Sequence, residues 1–159
     1  MVYYYLTIRY TMKTTKYVRI EYDEATQIKL REWAIAQGFD LTIKWSGSKQ
    51  PVEAFNFHTT IFWTTSLHDY IDETIGYTWP QSAKAVGFEL LDNETVAVLK
   101  VEGDNLISTR DVMVMYGMKD DWPSFLPHVS VSYAKDHPTD VTLPNFPLVY
   151  DKLIISDAK

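Results

Sequence analysis

The spacing of apolar and polar positions divides the chain into short strands and two helical stretches. In "KYVRIEY", residues 16–22, Val18, Ile20 and Tyr22 alternate with Tyr17, Arg19 and Glu21. A period of two is that of a strand with one buried face. Residues 2–11 also read as a strand, and the polar "MKTT" between the two runs predicts a hairpin. The period then changes in "DEATQIKLREWAIAQGF". Asp23 suits an N-cap, Glu24 suits the first turn and Gly38 is a stop signal. Between them Ala25, Ile28, Leu30, Trp33, Ala34 and Ile35 give the helix an apolar side. After the loop "KWSGSKQPVEA" comes the strand "FNFHTTIFWTT", residues 55–65.

Residues 66–84 hold no clear period; "LHDYIDETI" fits a short helix and "GYTWPQS" a loop. "KAVGFELLDNETVAVLKVEGDN" reads as two strands turning at Asp92 and Asn93, and "NLISTRDVMVMYGM" as a second helix closing at Tyr116 and Gly117. The loop "KDDWPSFLP" leads into the strand "LPHVSVSYA", residues 126–134. The Pro-rich "KDHPTDVTLPNFP" then leads into a last strand, "LVYDKLIIS". Hairpins with two helices predict an α+β fold with antiparallel sheets. A length of 159 residues suits a single domain, residues 1–159.

Two of the strands carry candidate chemistry. Strict alternation puts His58, Thr60, Phe62 and Thr64 on one face, opposite Phe57, Thr59, Ile61 and Trp63. It puts His128, Ser130 and Ser132 opposite Val129, Val131 and Tyr133. Each strand therefore offers an imidazole followed, two places on and on the same face, by a hydroxyl. About one residue in six is Ser or Thr, so one such match carries little weight. A lone copy equally suits a satisfied core histidine. The weight comes from two copies in strand context, 70 residues apart. "HPT" at His137 also matches, but Pro138 places it in a loop rather than a central strand.

Composition narrows the chemistry. There is no cysteine, which excludes disulfides and thiolate metal sites and fits a reducing cytoplasm. The start "MVYYYLTIRY" has no basic leader before an apolar run. No stretch reaches the roughly 18–20 apolar residues that a membrane span needs. The net charge of −6 argues against a long nucleic acid, which is gripped by a large basic surface. A small anion held by a few groups remains compatible. Aromatics make up 14% of the chain, which suits strands and also supplies rings on which bases stack.

The pair "HTTI" at 58–61 and "HVSV" at 128–131 resembles the two His-x-Thr/Ser-x motifs of the 2H phosphoesterase superfamily. The resemblance runs over nearly the whole chain. The size, the spacing and the leading "YVRI" are similar to the phage anti-CBASS phosphodiesterases, which destroy the cyclic oligonucleotide alarm signals of bacterial defence. One departure is Ser130, where Thr is common. The resemblance implies a two-lobed fold, with antiparallel sheets lining a central cleft and helices packed outside. It implies a metal-independent phosphodiesterase with no cofactor, acting on small cyclic oligonucleotides through His58, Thr60, His128 and Ser130. The expected setting is the cytoplasm (the host's, if phage-encoded), as a monomer with no membrane partner.

The chemistry needs two imidazoles on opposite sides of one phosphorus. One takes the 2′-hydroxyl proton as that oxygen attacks; the other protonates the leaving 5′-oxygen. The hydroxyls hold the non-bridging oxygens. The sequence leaves open which histidine plays which part. A metal role for His58 and His128 fits less well, since hydroxyls are poor divalent ligands and no third ligand stands at a recognisable spacing. His68-Asp69 is an isolated pair that suits a helix start. Further pocket candidates are Tyr17, through the resemblance, and Arg19 on the same face. Phe88 is another, although its apolar flanks suit the core, and Trp122 would either cap a base or pack over the core. The loop 134–147 reads as a lid or as a static connection. Two other readings stand beside this one: an enzyme for RNA ends bearing 2′,3′-cyclic phosphate, and a binding protein that sequesters a nucleotide.

Overall fold

The computed structural model describes residues 16–64, 79–115 and 126–157. The strand expected over 2–11, the pair His68-Asp69 and the pocket candidate Trp122 lie outside the described residues. Within the described residues six strands and two helices follow in order: β1 (Lys16–Tyr22), α1 (Glu24–Gln37), β2 (His58–Thr64), β3 (Gln81–Leu91), β4 (Val96–Gly103), α2 (Asp104–Met115), β5 (His128–Ser132) and β6 (Leu148–Asp157). A short 3-10 turn, Val52–Ala54, precedes β2.

The α+β expectation holds, but the strands form one sheet and not separate ones. Its order is β2-β1-β6-β3-β4-β5, and every neighbouring pair is antiparallel. Two three-stranded halves are joined because β3 and β6 pair over Gln81↔Tyr150, Ser82↔Val149 and Ala83↔Leu148. The two outermost strands, β2 and β5, come within 8 Å of one another, Cα to Cα. The sheet is therefore curled towards closure, which brings its two edges together.

One face of the sheet is core. Val18, Ile20, Phe57, Leu99, Val129, Leu148 and Tyr150 are all fully buried there. In β1 the alternation read from the sequence holds: Val18, Ile20 and Tyr22 are buried and the intervening residues are not.

α1 begins and ends where its caps predict. The Asp23 carboxylate accepts from the Thr26 amide at 2.8 Å. Gly38 adopts φ 93°, a left-handed conformation suited to glycine. There the amides of Gly38 and Phe39 reach the Ile35 and Ala34 carbonyls at 3.0 and 2.9 Å. The buried stripe of α1 is Thr26, Leu30 and Ala34, with Trp33 packed beside it. Ile28 and Ile35, expected inside, are 44% and 53% exposed. At about 100° per residue they lie well off the i, i+4, i+8 row that meets the sheet.

α1 also fixes the start of β2. The Gln27 amide group donates to the Phe57 carbonyl at 2.6 Å and accepts from the Phe57 amide at 2.8 Å. A side chain thus takes the place of a strand neighbour directly before His58. The loop after α1 holds the end of β5, where the Ser132 hydroxyl donates to the Asp40 carbonyl at 2.7 Å. The loop 134–147 is pinned on α1: Trp33 Nε1 donates to the Thr142 carbonyl at 2.8 Å, and the Thr142 amide donates to Gln37 Oε1 at 3.0 Å. Those contacts match the static connection rather than the lid.

Candidate active site

The two histidine strands sit in matching frames. Across β1 and β2 the pairs are Glu21↔His58, Ile20↔Thr59 and Arg19↔Thr60; the register then skips Ile61, and Val18 faces Phe62. Across β4 and β5 they are Lys100↔His128, Leu99↔Val129 and Val98↔Ser130; the register skips Val131, and Ala97 faces Ser132. Each motif is followed by a bulge at the same place. Such an extra residue breaks the alternation of faces and adds local twist.

The bulges overturn part of the alternation read from the sequence. Phe62 is placed with Val18 on the core side and is 1% exposed. Trp63 pairs with Tyr17, its ring 5.4 Å from the tyrosine's, on the side of the histidines. In the second strand Ser132 goes into the core at 0% exposure. Tyr133 comes round to partner the Ser130 hydroxyl, while its ring also touches Phe55 at 5.8 Å.

Both imidazoles are half-buried and hold the same backbone contact two residues upstream. His58 Nδ1 lies 3.3 Å from the Asn56 carbonyl oxygen, and His128 Nδ1 lies 2.8 Å from that of Leu126. A carbonyl can only accept, so each Nδ1 carries the proton and each Nε2 of a neutral ring is left as the acceptor. The hydroxyls two places on are also partnered alike, by phenols. Thr60 donates to the Tyr17 hydroxyl at 2.9 Å, and Ser130 partners Tyr133. Burial pushes both phenols above their ordinary range, against the opposing effect of those hydroxyls, so they stay protonated.

The two halves meet electrostatically as well. His58 is held below the ordinary imidazole range, chiefly by burial. The Asn56 carbonyl opposes this, Arg19 adds to it, Glu21 opposes it, and the neighbouring His128 adds to it. Tyr17 and Tyr133 sense each other too. Groups of the second motif strand are thus close enough to influence protonation in the first.

Of the residues expected at the site, His58, Thr60, Tyr17 and Arg19 share one face of the β1–β2 pair. His128 and Ser130 share a face of the β4–β5 pair. Phe88 stands apart. It pairs with Leu99 on the core side and packs on Phe39 at 5.6 Å between ring centroids, which meets its core reading. His137 lies in the loop, with Nε2 3.3 Å from the Thr95 carbonyl. Trp63 and Tyr133 were missed because strict alternation turns both the other way. Only the bulges bring them round, and no residue in either strand signals a bulge. A groove of about 1100 Å³ runs along β3, β4 and the loop before β6, lined by Lys84, Val86, Lys100 and Phe146 among others. It reaches Leu126 and Pro127, and neither histidine lines it.

Among the described residues no three His, Asp or Glu side chains gather to hold a metal ion, and no helix is long and apolar enough to cross a membrane. The curated proteins contain no match to this chain. Residues 14–157, which include both histidine strands and every described element, are matched by the family model of anti-CBASS protein Acb1, and the chain belongs to that family.

Proposed function

We propose that the protein is a metal-independent 2H-type phosphodiesterase. It cuts the 3′–5′ linkages of small cyclic oligonucleotide messengers and so blunts CBASS defence. Family membership supports the biological setting. The observation that carries the chemistry is the matched pair of frames: one register, one bulge and one Nδ1 contact on each side. A site that must place an acid and a base on either flank of one phosphorus needs such a pair. The two lobes of a 2H fold correspond, in this reading, to the two halves of the curled sheet.

In the first step one neutral imidazole takes the 2′-hydroxyl proton at Nε2. The freed oxygen attacks phosphorus, and the P–O5′ bond breaks. The second, protonated imidazole gives its Nε2 proton to that oxygen. Burial disfavours charge on His58, which suits it to begin neutral as the base, with His128 as the acid. Thr60 and Ser130 hold the non-bridging oxygens as charge shifts onto them, the Thr60 hydroxyl turning its one proton from Tyr17 to the phosphate when substrate binds. The product is a 2′,3′-cyclic phosphate. Water then opens it with the histidine roles exchanged.

The test incubates the protein with cyclic di- and trinucleotides and 2′,3′-cyclic mononucleotides in EDTA, followed by chromatography. Consumption of a cyclic oligonucleotide is expected. His58→Ala and His128→Ala should each lower turnover by about 10²–10⁴-fold, the usual contribution of a positioned acid or base. Activity that EDTA abolishes and zinc or magnesium restores would move the protein to another class. Recovery of intact nucleotide after heat denaturation would make it a sequestering protein. Consumption of the mononucleotides alone would favour the RNA-end reading.

A further inference from the structure

The matched frames differ at one pair of positions. Where the second half has Lys100 facing His128 and Val98 facing Ser130, the first has Glu21 facing His58 and Arg19 facing Thr60. Glu21 and Arg19 form an ion pair: the guanidinium reaches Glu21 Oε1 through both Nε and Nη2 at 3.1 Å. Both side chains are largely buried, 19% exposed for Arg19 and 15% for Glu21. Pairing and burial of this kind make Arg19 a poor free clamp for phosphate, because its fork is already taken.

The pair instead closes a circuit. Glu21 Oε1 also accepts from Asn56 Nδ2 at 3.3 Å. The carbonyl of that same Asn56 accepts from His58 Nδ1. On the other side Arg19 donates to the Ser156 hydroxyl at 3.0 Å and lies 5.2 Å above the Tyr17 ring. Tyr17 accepts from Thr60 at 2.9 Å and sets its ring edge-on to His58, 5.9 Å between centroids. The path from His58 to Thr60 thus runs through Asn56, Glu21, Arg19 and Tyr17, and Glu21 is its one carboxylate.

We infer that Glu21 is a positioning residue of the first motif, tying the orientation of His58 to that of the Thr60 hydroxyl through Arg19 and Tyr17. A carboxylate that accepts from both neighbours fixes each of them, and a fixed neighbour spares the site the reorganisation that a loose one would need. Among the described residues no such circuit surrounds His128, where the facing Lys100 turns to Glu89 at 3.1 Å. The second motif is held, among the described residues, by the Leu126 carbonyl and Tyr133, and the first by a charged network.

The inference rests on the catalytic reading for its kinetic test, and it has a second test that does not. Glu21→Gln keeps the size and removes the charge. Among the described residues the charged or titratable groups facing His58 are Glu21, Arg19, Tyr17 and His128. Of these Glu21 is the one that favours the imidazolium. In Glu21→Gln the His58 ring, followed by NMR, should titrate at lower pH, with no matching change at His128. With cyclic di-AMP as probe, kcat should fall on the order of tenfold to a hundredfold, the usual cost of loosening a supporting group, with KM little changed. The acid limb of the rate profile should move to lower pH. Glu21→Asp, which keeps the charge, should restore part of kcat. An unchanged His58 titration would overturn the proposal whether or not the protein cleaves. So would equal kcat in wild type and Glu21→Gln. Should Glu21→Gln fail to fold, Asn56→Ala removes the side-chain link to Glu21 while keeping the charge and the backbone carbonyl; its kcat should fall by the same order, and kcat equal to wild type would overturn the proposal.

Discussion

At His58 a single imidazole bears opposing demands. Burial lowers its affinity for a proton, and Arg19 and His128 act in the same direction, against the Asn56 carbonyl and Glu21. The consequence for stability has a definite sign. Below the ordinary histidine value, about 6.5, the unfolded chain takes up a proton here before the folded one does. Stability is thus full above that value and declines as pH falls towards the lowered folded one. Replacement of His58 by Gln should flatten the pH dependence of the unfolding midpoint below the ordinary histidine value of about 6.5; equal slopes in both proteins would contradict the burial effect. The histidines themselves were legible in the sequence, because a polar residue on an alternating strand stands out. So were Tyr17 and Arg19, which hold the predicted face. The position of Glu21 on that face was equally plain, but the contacts that give it a use join residues 35 apart, and no spacing rule reports them.

Among the elements, the strands were legible where alternation is strict and misread where it breaks. β1 follows a period of two throughout. β2 and β5 follow it only as far as the third residue of each motif, and beyond the bulge every inward residue becomes an outward one. Local chemistry predicted the turn between β3 and β4 at Asp92 and Asn93, but not its length. Asp92, Asn93 and Glu94 all adopt positive φ, at 52°, 56° and 67°. Asp and Asn tolerate that region better than Glu does. The turn is closed by Thr95, whose amide donates to the Leu91 carbonyl at 3.1 Å and whose hydroxyl donates to that of Asp92 at 2.6 Å. Glu94→Gly should therefore stabilise the fold, by up to about 1 kcal/mol in urea titration, since the strain relieved exceeds the entropy glycine adds to the unfolded chain. A loss of stability would mean that the Glu94 side chain contributes more than its backbone costs.

For the molecule as a whole, a net charge of −6 and a site built from two histidines and four hydroxyls fit a ligand with few phosphates. Raising salt from about 50 to about 200 mM should change KM for cyclic di-AMP by less than about tenfold, against the 10³–10⁵-fold loss of affinity typical of proteins making six to ten phosphate contacts. A steeper dependence would point to a polyanion. The antiparallel α+β class was readable from hairpin signals. The joining of the two halves was not, because the pairing of β3 with β6 unites segments remote in sequence and spans only three residues of each strand. That short seam lies opposite the histidines. The gap between the two histidine strands is consequently set from behind, as the opening of a pair of tongs is set at its pivot. A change of bulk at Ala83 or Leu148, touching no imidazole, would alter how closely the tips meet.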